Sequence, residues 1–278
     1  MPDAIDPPIY LSLATVLYKN QPDDIARFRD QLLVALDYAR QRLPIAKVSF
    51  AIVDNAAHED GERFRALFSR LPGVDSKRLL CPEENLGYGR AHNLCMYQGG
   101  DYHLMLNPDA YLAEDAIYRG LSFLHANAQV ALVAPIGQDH LAAPLFLAKR
   151  YPSVLDLALR GFAPQCIKNC AAKRISHYQY GEQQTASEPY PIEIASGCCM
   201  LVRTDDLQRI GGFDPAFFLY FEDFDLSLRL KKQGALMCLP SMSIIHGGGN
   251  AAKKGFWHIC QFAKSAKQFF AKHGWRWL

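Results

Sequence analysis

The stretch IYLSLATVLYKNQPDDIARFRDQLLVALDYARQRLPIAKVSFAIVD, residues 9–54, decides the fold. Its first nine residues, Ile9 to Leu17, are nearly all apolar, as expected of a strand buried on both faces. From Asp23 to Arg42 the apolar residues Ile25, Phe28, Leu32, Leu36 and Ala39 recur at helical spacing, which predicts an amphipathic helix. KVSFAIVD is a second strand and ends on Asp54. The unit is strand, helix, strand, and its continuation decides the architecture.

The same alternation runs on. A short helix is expected from Glu59 to Arg70, a strand at KRLLC, a helix from Tyr88 to Gln98, and a fourth strand, YHLMLN, ending at Asn107. A helix from Glu114 to Asn127 and the strand VALVAP follow. This order predicts an α/β fold with a mainly parallel central sheet and helices on both faces, in which ligands gather at the carboxyl ends of the strands. Asp54, Asn85 and Asp109 all fall just after such ends. Between Gly137 and Pro191 the alternation breaks down into a segment rich in Lys149, Arg150, Arg160, Lys168, Lys173 and Arg174, read here as a partly helical substrate-binding flap. Order returns with the strand IEIASGCCMLVR.

Composition narrows the function classes. The 278 residues are 50% hydrophobic with a formal net charge of +2, enough for a large core and too little basic excess for a nucleic-acid binder. The eight cysteines are irregularly spaced and no secretory signal precedes them, so they read as reduced cytosolic thiols. Cys166 and Cys170 with His177 lack the second pair that a zinc site needs. No run approaches the ~18 apolar residues of a membrane-spanning helix.

YFEDFDLSLR, residues 220–229, crowds Glu222, Asp223 and Asp225 among aromatic residues. One reading is a helix from Glu222 to Gln233 with acids at its positive end, an apolar stripe of Phe221, Phe224 and Leu228, and Gly234 as its stop. The other is a general base, because a carboxylate beside apolar walls has the raised proton affinity that role needs.

In order, TVLYKN, IVDNAAHEDG, ENLGYGRAHN, LNPDAYL, SGCCMLVRTDDLQRIGGFDPAFFLYFEDFDLSLRLKKQG and IIHGGG resemble the family 2 inverting glycosyltransferases with the GT-A fold. The likeness is greatest to the bacterial rhamnosyltransferase-type members that build surface polysaccharide. It covers residues 9–250 and implies a GT-A domain over 1–250, with a nucleotide-sugar half (9–135), an acceptor-side excursion (136–190) and a catalytic half (191–250). A basic, aromatic C-terminal helix over 251–278 would follow.

The resemblance also implies roles. Asp109 matches the metal-binding end of the family's DxD motif, Asn107 stands where its first acid often is, and His246 matches a late histidine that serves as second ligand to a manganese or magnesium ion. Such a cation neutralises the departing diphosphate of a nucleotide sugar. Asp54 would accept from the imide of uracil or thymine, with Thr15 and Leu17 lining that pocket. Asn85 and Gly87 would shape a loop against the nucleotide, and Arg90 and Asn93 would reach phosphate or sugar. Asp223 takes the base role, with Glu222 the other claimant, Asp225 structural and Asp214 bracing a turn. Phe217, Phe218 and Tyr220 would wall the acceptor sugar, with Ser196 and Gly197 facing the same cleft.

The implied activity is metal-dependent transfer of a sugar, L-rhamnose from a dTDP donor, to a lipid-linked glycan in O-antigen, capsule or other surface polysaccharide synthesis. The alternatives are a UDP-sugar donor, a lone oligosaccharide acceptor, or a catalytically silent glycan-binding module; a nucleotidyltransferase would need a glycine-rich basic loop after the first strand. From Ala251 onward the chain has no acid, and its lysines alternate with aromatics. That pattern fits either a helix packed on the core or peripheral contact with the cytoplasmic face of the inner membrane.

Overall fold

The computed structural model describes residues 7–56, 68–96, 99–247 and 255–278. The opening unit forms as its pattern predicts. Strand β1 (Ile9–Leu17), the helix Pro22–Arg40 and strand β2 (Ile45–Asp54) follow in order, with β1 and β2 paired in parallel. The helix starts on Pro22 with Asp23 and Asp24 in its first turn, residues suited to its positive end, and buries all five expected apolar residues.

Strands β3 (Ser76–Leu80) and β4 (Tyr102–Leu106) extend the sheet in parallel on either side. The helix expected from Glu59 to Arg70 lies largely outside the described residues, and the next one is shorter than expected, Tyr88–Asn93. Strands β5 (Ala110–Leu112), β6 (Val130–Gln138), β11 (Cys199–Arg203) and β12 (Ala235–His246) complete the main path, in the order β3-β2-β1-β4-β11-β6-β12-β5.

Beyond β4 the sheet is mixed, because β11 runs antiparallel to both β4 and β6. The cause is where the excursion begins and ends. The chain leaves β6 at the carboxyl edge of the sheet and re-enters at Cys198, whose carbonyl accepts from the Asn107 N–H (2.8 Å) at the carboxyl end of β4. A chain that leaves and returns at one edge must run back antiparallel. The excursion therefore lies over the edge where ligands gather. It contains the helices Val154–Phe162, Gln165–Cys170 and Ala172–Tyr178, and it starts beyond Gln138 rather than at residue 136.

The stretch IEIASGCCMLVR is not one strand. It divides into β10 (Ile194–Ala195), which pairs with β8 (Ala148–Lys149), and β11. The break falls at Gly197, where a Cβ would stand 3.2 Å from the Tyr88 ring and 3.3 Å from Asp223 Cβ.

One face of the sheet packs against the helices Pro22–Arg40 and Ala116–Ala126; the other carries Tyr88–Asn93 and Glu222–Leu230. The last helix, Phe256–His273, is part of the folded core. Its Phe269 ring lies 5.3 Å from Phe221 and 5.9 Å from Phe224, and Asp225, fully buried, accepts from Lys272 (2.6 Å) and His273 (2.8 Å). Lys272 also holds Asp214 at 2.6 Å. Phe256, Trp257, Trp275 and Trp277 stay exposed. No helix among the described residues is long and apolar enough to cross a membrane.

Two buried histidines under the sheet give the fold a pH signature. Burial depresses His92 from 6.5 to about 3 and His103 from 6.5 to about 4; the His103 Nδ1 bonds Ser12 Oγ at 2.7 Å. Below pH 6.5 the unfolded chain protonates both while the folded chain does not. Their contribution to stability is thus full above that pH and lost as pH falls toward the folded values. Thermal unfolding followed from pH 7 to 4.5 should show a falling midpoint, and His92→Leu should flatten the fall. An unchanged slope in the variant would remove His92 as its cause.

Candidate functional site

The strand ends bring most of the expected residues to one edge. Asp54 closes β2 opposite Leu17 in the parallel register and is almost wholly buried. Its Oδ1 accepts from the Ala56 N–H (3.2 Å), while Oδ2 is buried without a hydrogen-bond partner, as is Thr15 Oγ1. Buried polar atoms are costly unless a partner arrives, so this pair is suited to a ligand that brings a donor. Leu17, on the same face of β1 as Thr15, is fully buried with the apolar core, and its carbonyl at the strand end accepts from the Asn55 N–H (2.9 Å).

Asn55, singled out by no motif role, organises the next loop. Its amide donates to Asn85 Oδ1 (2.8 Å) and the Gly87 carbonyl (3.1 Å), and its oxygen accepts from the Leu86 N–H (2.9 Å). Gly87 is required here, with φ +76° and a Cβ that would fall 2.1 Å from the Phe218 carbonyl oxygen. The loop of Asn85 and Gly87 and the aromatic loop before Glu222 are therefore in direct backbone contact. Arg90 leans on Glu84 at 3.4 Å and remains partly exposed. Asn93 has a different role from the one expected: its amide brackets the Phe213 backbone, donating to the carbonyl (2.8 Å) and accepting from the N–H (2.9 Å). It braces the loop instead of reaching for phosphate.

Asp109 and His246 meet, although they lie far apart in the sequence. In the antiparallel pairing of β12 with β5, His246 sits opposite Ala110, which places the preceding residue alongside; His246 Nε2 and Asp109 Oδ1 are 3.2 Å apart. Asn107 Oδ1 is buried there without a hydrogen-bond partner. No group of three or more His, Cys, Asp or Glu forms a metal cluster among the described residues. Two side chains of this type fit a hard cation that takes its remaining oxygens from water and a diphosphate. Gly247 follows at the same end; Gly248 and Gly249, the last residues of the IIHGGG motif, lie outside the described residues.

Glu222 and Asp223 begin the helix Glu222–Leu230, after two non-glycine residues in the left-handed region, Tyr220 (φ 69°) and Phe221 (φ 64°). Such conformations are strained for aromatic residues and collect at functional sites. The two carboxylates differ. Asp223 Oδ2 accepts from the Gly197 N–H (3.0 Å) and Oδ1 from the Phe224 N–H (3.0 Å), and it is partly exposed. Glu222 is buried, with Oε2 unpartnered. Burial, then the charge of Asp223, pushes the Glu222 carboxyl well up; burial raises Asp223 too, but the Gly197 N–H and the Lys149 charge oppose that rise. Of the two, Asp223 is the better placed to carry the negative charge, having two N–H donors and a lysine charge where Glu222 has burial alone.

Lys149 is a site residue that sequence reasoning left among the cations of the excursion. It is buried on β8, donates to the Phe146 carbonyl (3.3 Å) and stands 5.8 Å from the Phe224 ring centre. Burial lowers it to about 8. Its neighbour Arg150 pairs with Glu182 instead, and no spacing rule separates the two in sequence. Of the expected aromatic wall, Phe217 is fully buried in the core, Phe218 packs on Trp257, and the Tyr220 hydroxyl bonds His258 Nδ1 at 2.8 Å.

No family model matches the chain. It is 28% identical over 262 residues to the N-acetylglucosaminyl-diphospho-decaprenol L-rhamnosyltransferase of Mycobacterium tuberculosis, covering 88% of this chain and 81% of that protein. It is 24% identical over 179 residues to the rhamnosyltransferase WbbL of Escherichia coli, covering 62% of each. Among solved structures, GalNAc-T7 with UDP, GalNAc and Mn2+ superposes with a TM-score of 0.60 at 13% identity, over 96% of this chain and 50% of that one. The mannosyltransferase PcManGT from Pyrobaculum calidifontis, in complex with GDP-Man and Mn2+, gives 0.60 at 18% identity, over 95% and 64%. The chain thus spans half to two thirds of the length of these structures, and at such identities the likeness shows the fold.

Proposed function

We propose that this chain, a GT-A-fold protein resembling the rhamnosyltransferases, is an inverting glycosyltransferase that uses a nucleotide sugar and a divalent cation. The observation that carries the reading is the meeting of Asp109 and His246 at 3.2 Å, on the edge that also gathers Asp54, Asn107 and Asp223. Asp54 and Thr15 have buried acceptors suited to a pyrimidine base. Asp109 and His246 would hold the cation, Mn2+ or Mg2+, with Asn107 beside it. When bound, such a cation supplies Lewis-acid stabilisation of the leaving diphosphate.

Asp223 then acts as the base. In an inverting transfer the acceptor hydroxyl attacks the anomeric carbon from the face opposite the leaving group and must lose its proton. Gly197 N–H and Lys149 favour the charged form of Asp223, burial opposes a charge on Glu222, and the strained turn at Tyr220 and Phe221 fixes where the carboxylate stands. The Mycobacterium tuberculosis relative is named for a diphospho-decaprenol acceptor and a rhamnosyl donor. By analogy we assign L-rhamnose from a dTDP donor, a lipid-linked acceptor, and work at a cytoplasmic membrane face.

Thermal stabilisation by a panel of nucleotide sugars, with manganese present, tests the assignment. A shift with dTDP-rhamnose well above that with UDP-, GDP- or CMP-sugars is the expected result. A larger shift with a UDP-sugar would move the donor while leaving the reaction class; no shift with any donor would remove it.

A further inference from the structure

Two stretches of the chain without acidic residues, 157–181 and 255–278, come together on one face. The segment 274–278 crosses the start of the helix Val154–Phe162, where the Val154 N–H donates to the Arg276 carbonyl (2.8 Å) and the Leu155 N–H to the Trp277 carbonyl (3.2 Å). The Tyr151 hydroxyl donates to the Gly274 carbonyl at 2.5 Å. A ladder of rings leads outward from the core: Trp275 stacks on buried Phe270 at 5.3 Å, and Trp277 on Trp275 at 5.1 Å.

What this construction presents to solvent is unusual for a water-facing surface. Phe162, Ile167, Trp275, Trp277 and Leu278 are 47–77% exposed. The helix Gln165–Cys170 buries no residue at all. Arg160, Lys173 and Arg276, carried by the same elements or the helix that follows them, are exposed, and Lys168 partly so. Isolated exposed apolar residues are common, but bulky ones gathered within a rim of cations mark an interaction surface. The inner side of the same packing unit holds Leu157 and Tyr178 against Phe221 and Phe224, which flank the proposed base.

We propose that the face formed by the helices Val154–Phe162 and Gln165–Cys170 with the segment 274–278 docks on an anionic lipid surface. The cations supply attraction to anionic headgroups, and tryptophans prefer the boundary between headgroup and acyl chain. Such docking would place the acceptor side of the cleft against the leaflet, and it rests on the lipid-linked acceptor read above. The sequence offered the whole tail from residue 251 as a membrane element; the structure narrows this, since Phe269 and Phe270 are core residues and deleting the tail would unfold the domain rather than test docking.

The experiment is flotation of the full chain with vesicles of phosphatidylcholine alone or mixed with phosphatidylglycerol. It compares wild type with Lys168→Glu/Lys173→Glu and with Phe162→Ser/Trp277→Ser, after checking that each variant keeps its unfolding midpoint. Wild type should float with the mixed vesicles only and be released by added salt. Each double variant should lose at least about tenfold in partitioning yet keep its transfer rate to a short soluble acceptor. Equal flotation on both vesicle types, or none with either, overturns the proposal. So does a dimer in sedimentation that the same substitutions break, since the face would then be a protein interface. Absence of transfer to any acceptor, with vesicle binding intact, would count against the enzymatic reading and not against docking.

Discussion

Replacing Asp223 by asparagine is expected to slow sugar transfer by at least about 10²-fold while donor binding stays near wild type. Asparagine keeps one oxygen, so of the Gly197 and Phe224 N–H groups, which bond separate oxygens of Asp223 at 3.0 Å each, one retains its acceptor and holds the start of the helix in place. The proton acceptor is lost together with the other bond. Glu222→Gln should cost far less, because burial and the Asp223 charge both push the Glu222 carboxyl up and make it the poorer holder of negative charge. The two variants also differ in their pH profiles. A base works only when deprotonated, so transfer falls on the acid side as Asp223 takes up a proton. Removing the Glu222 carboxyl should leave that limb nearly in place, because the rise of Asp223 comes from burial; Lys149→Met, which removes a charge that holds Asp223 down, should move it to higher pH. Near-normal turnover in Asp223→Asn together with an inactive Glu222→Gln would exchange the two assignments.

The fold was legible where periodicity is strong. The helix Pro22–Arg40 and the strands around it follow from apolar spacing alone, because a buried parallel strand and an amphipathic helix have different periods. What sequence could not show was direction. β11 has the composition of any buried strand, and it is antiparallel only because the excursion begins and ends at the same edge of the sheet. The break at Gly197 was hidden for a related reason. Glycine in an apolar run reads as a bulge or a pause, and the need for it comes from Tyr88 and Asp223, both distant in sequence.

The site was legible as a set of motifs, less so as a division of labour among neighbours. Asp109 and His246 were paired by resemblance alone; what brings them together physically is the register of β12 against β5. Asn93 and Leu17 belong to the right motifs yet spend their atoms on bracing and packing. Lys149 belongs to no motif, and Asn55 sits inside one, IVDNAAHEDG, that gave it no role. Lys149 is recognisable only through burial, because an exposed lysine and one sealed against Phe224 look the same in a sequence. The two carboxylates after Tyr220 were separable only by counting the N–H groups that each receives.

Exhaustive chelation is expected to stop transfer, and Asp109→Ala and His246→Ala are each expected to weaken donor binding only when a divalent cation is supplied. The reason lies in how few side chains the site offers. With Asp109 and His246 as the ionisable pair and Asn107 neutral, the protein brings a single formal negative charge, and a cation held there depends on the diphosphate for further oxygens. Cation and donor should therefore bind cooperatively, each tightening the other. Loss of one of two protein ligands should remove most of that coupling and slow transfer by about 10²-fold or more, because Lewis-acid assistance to a leaving diphosphate is worth several kcal/mol. Titration calorimetry of the donor with and without manganese reads the coupling directly. Asn107→Asp is the informative control: a second carboxylate should strengthen cation binding in the absence of donor and so lessen the cooperativity. Donor affinity and turnover that ignore chelation, in wild type and in both alanine variants, would leave Asp109 and His246 as a structural contact that ties the end of β12 to the turn before β5.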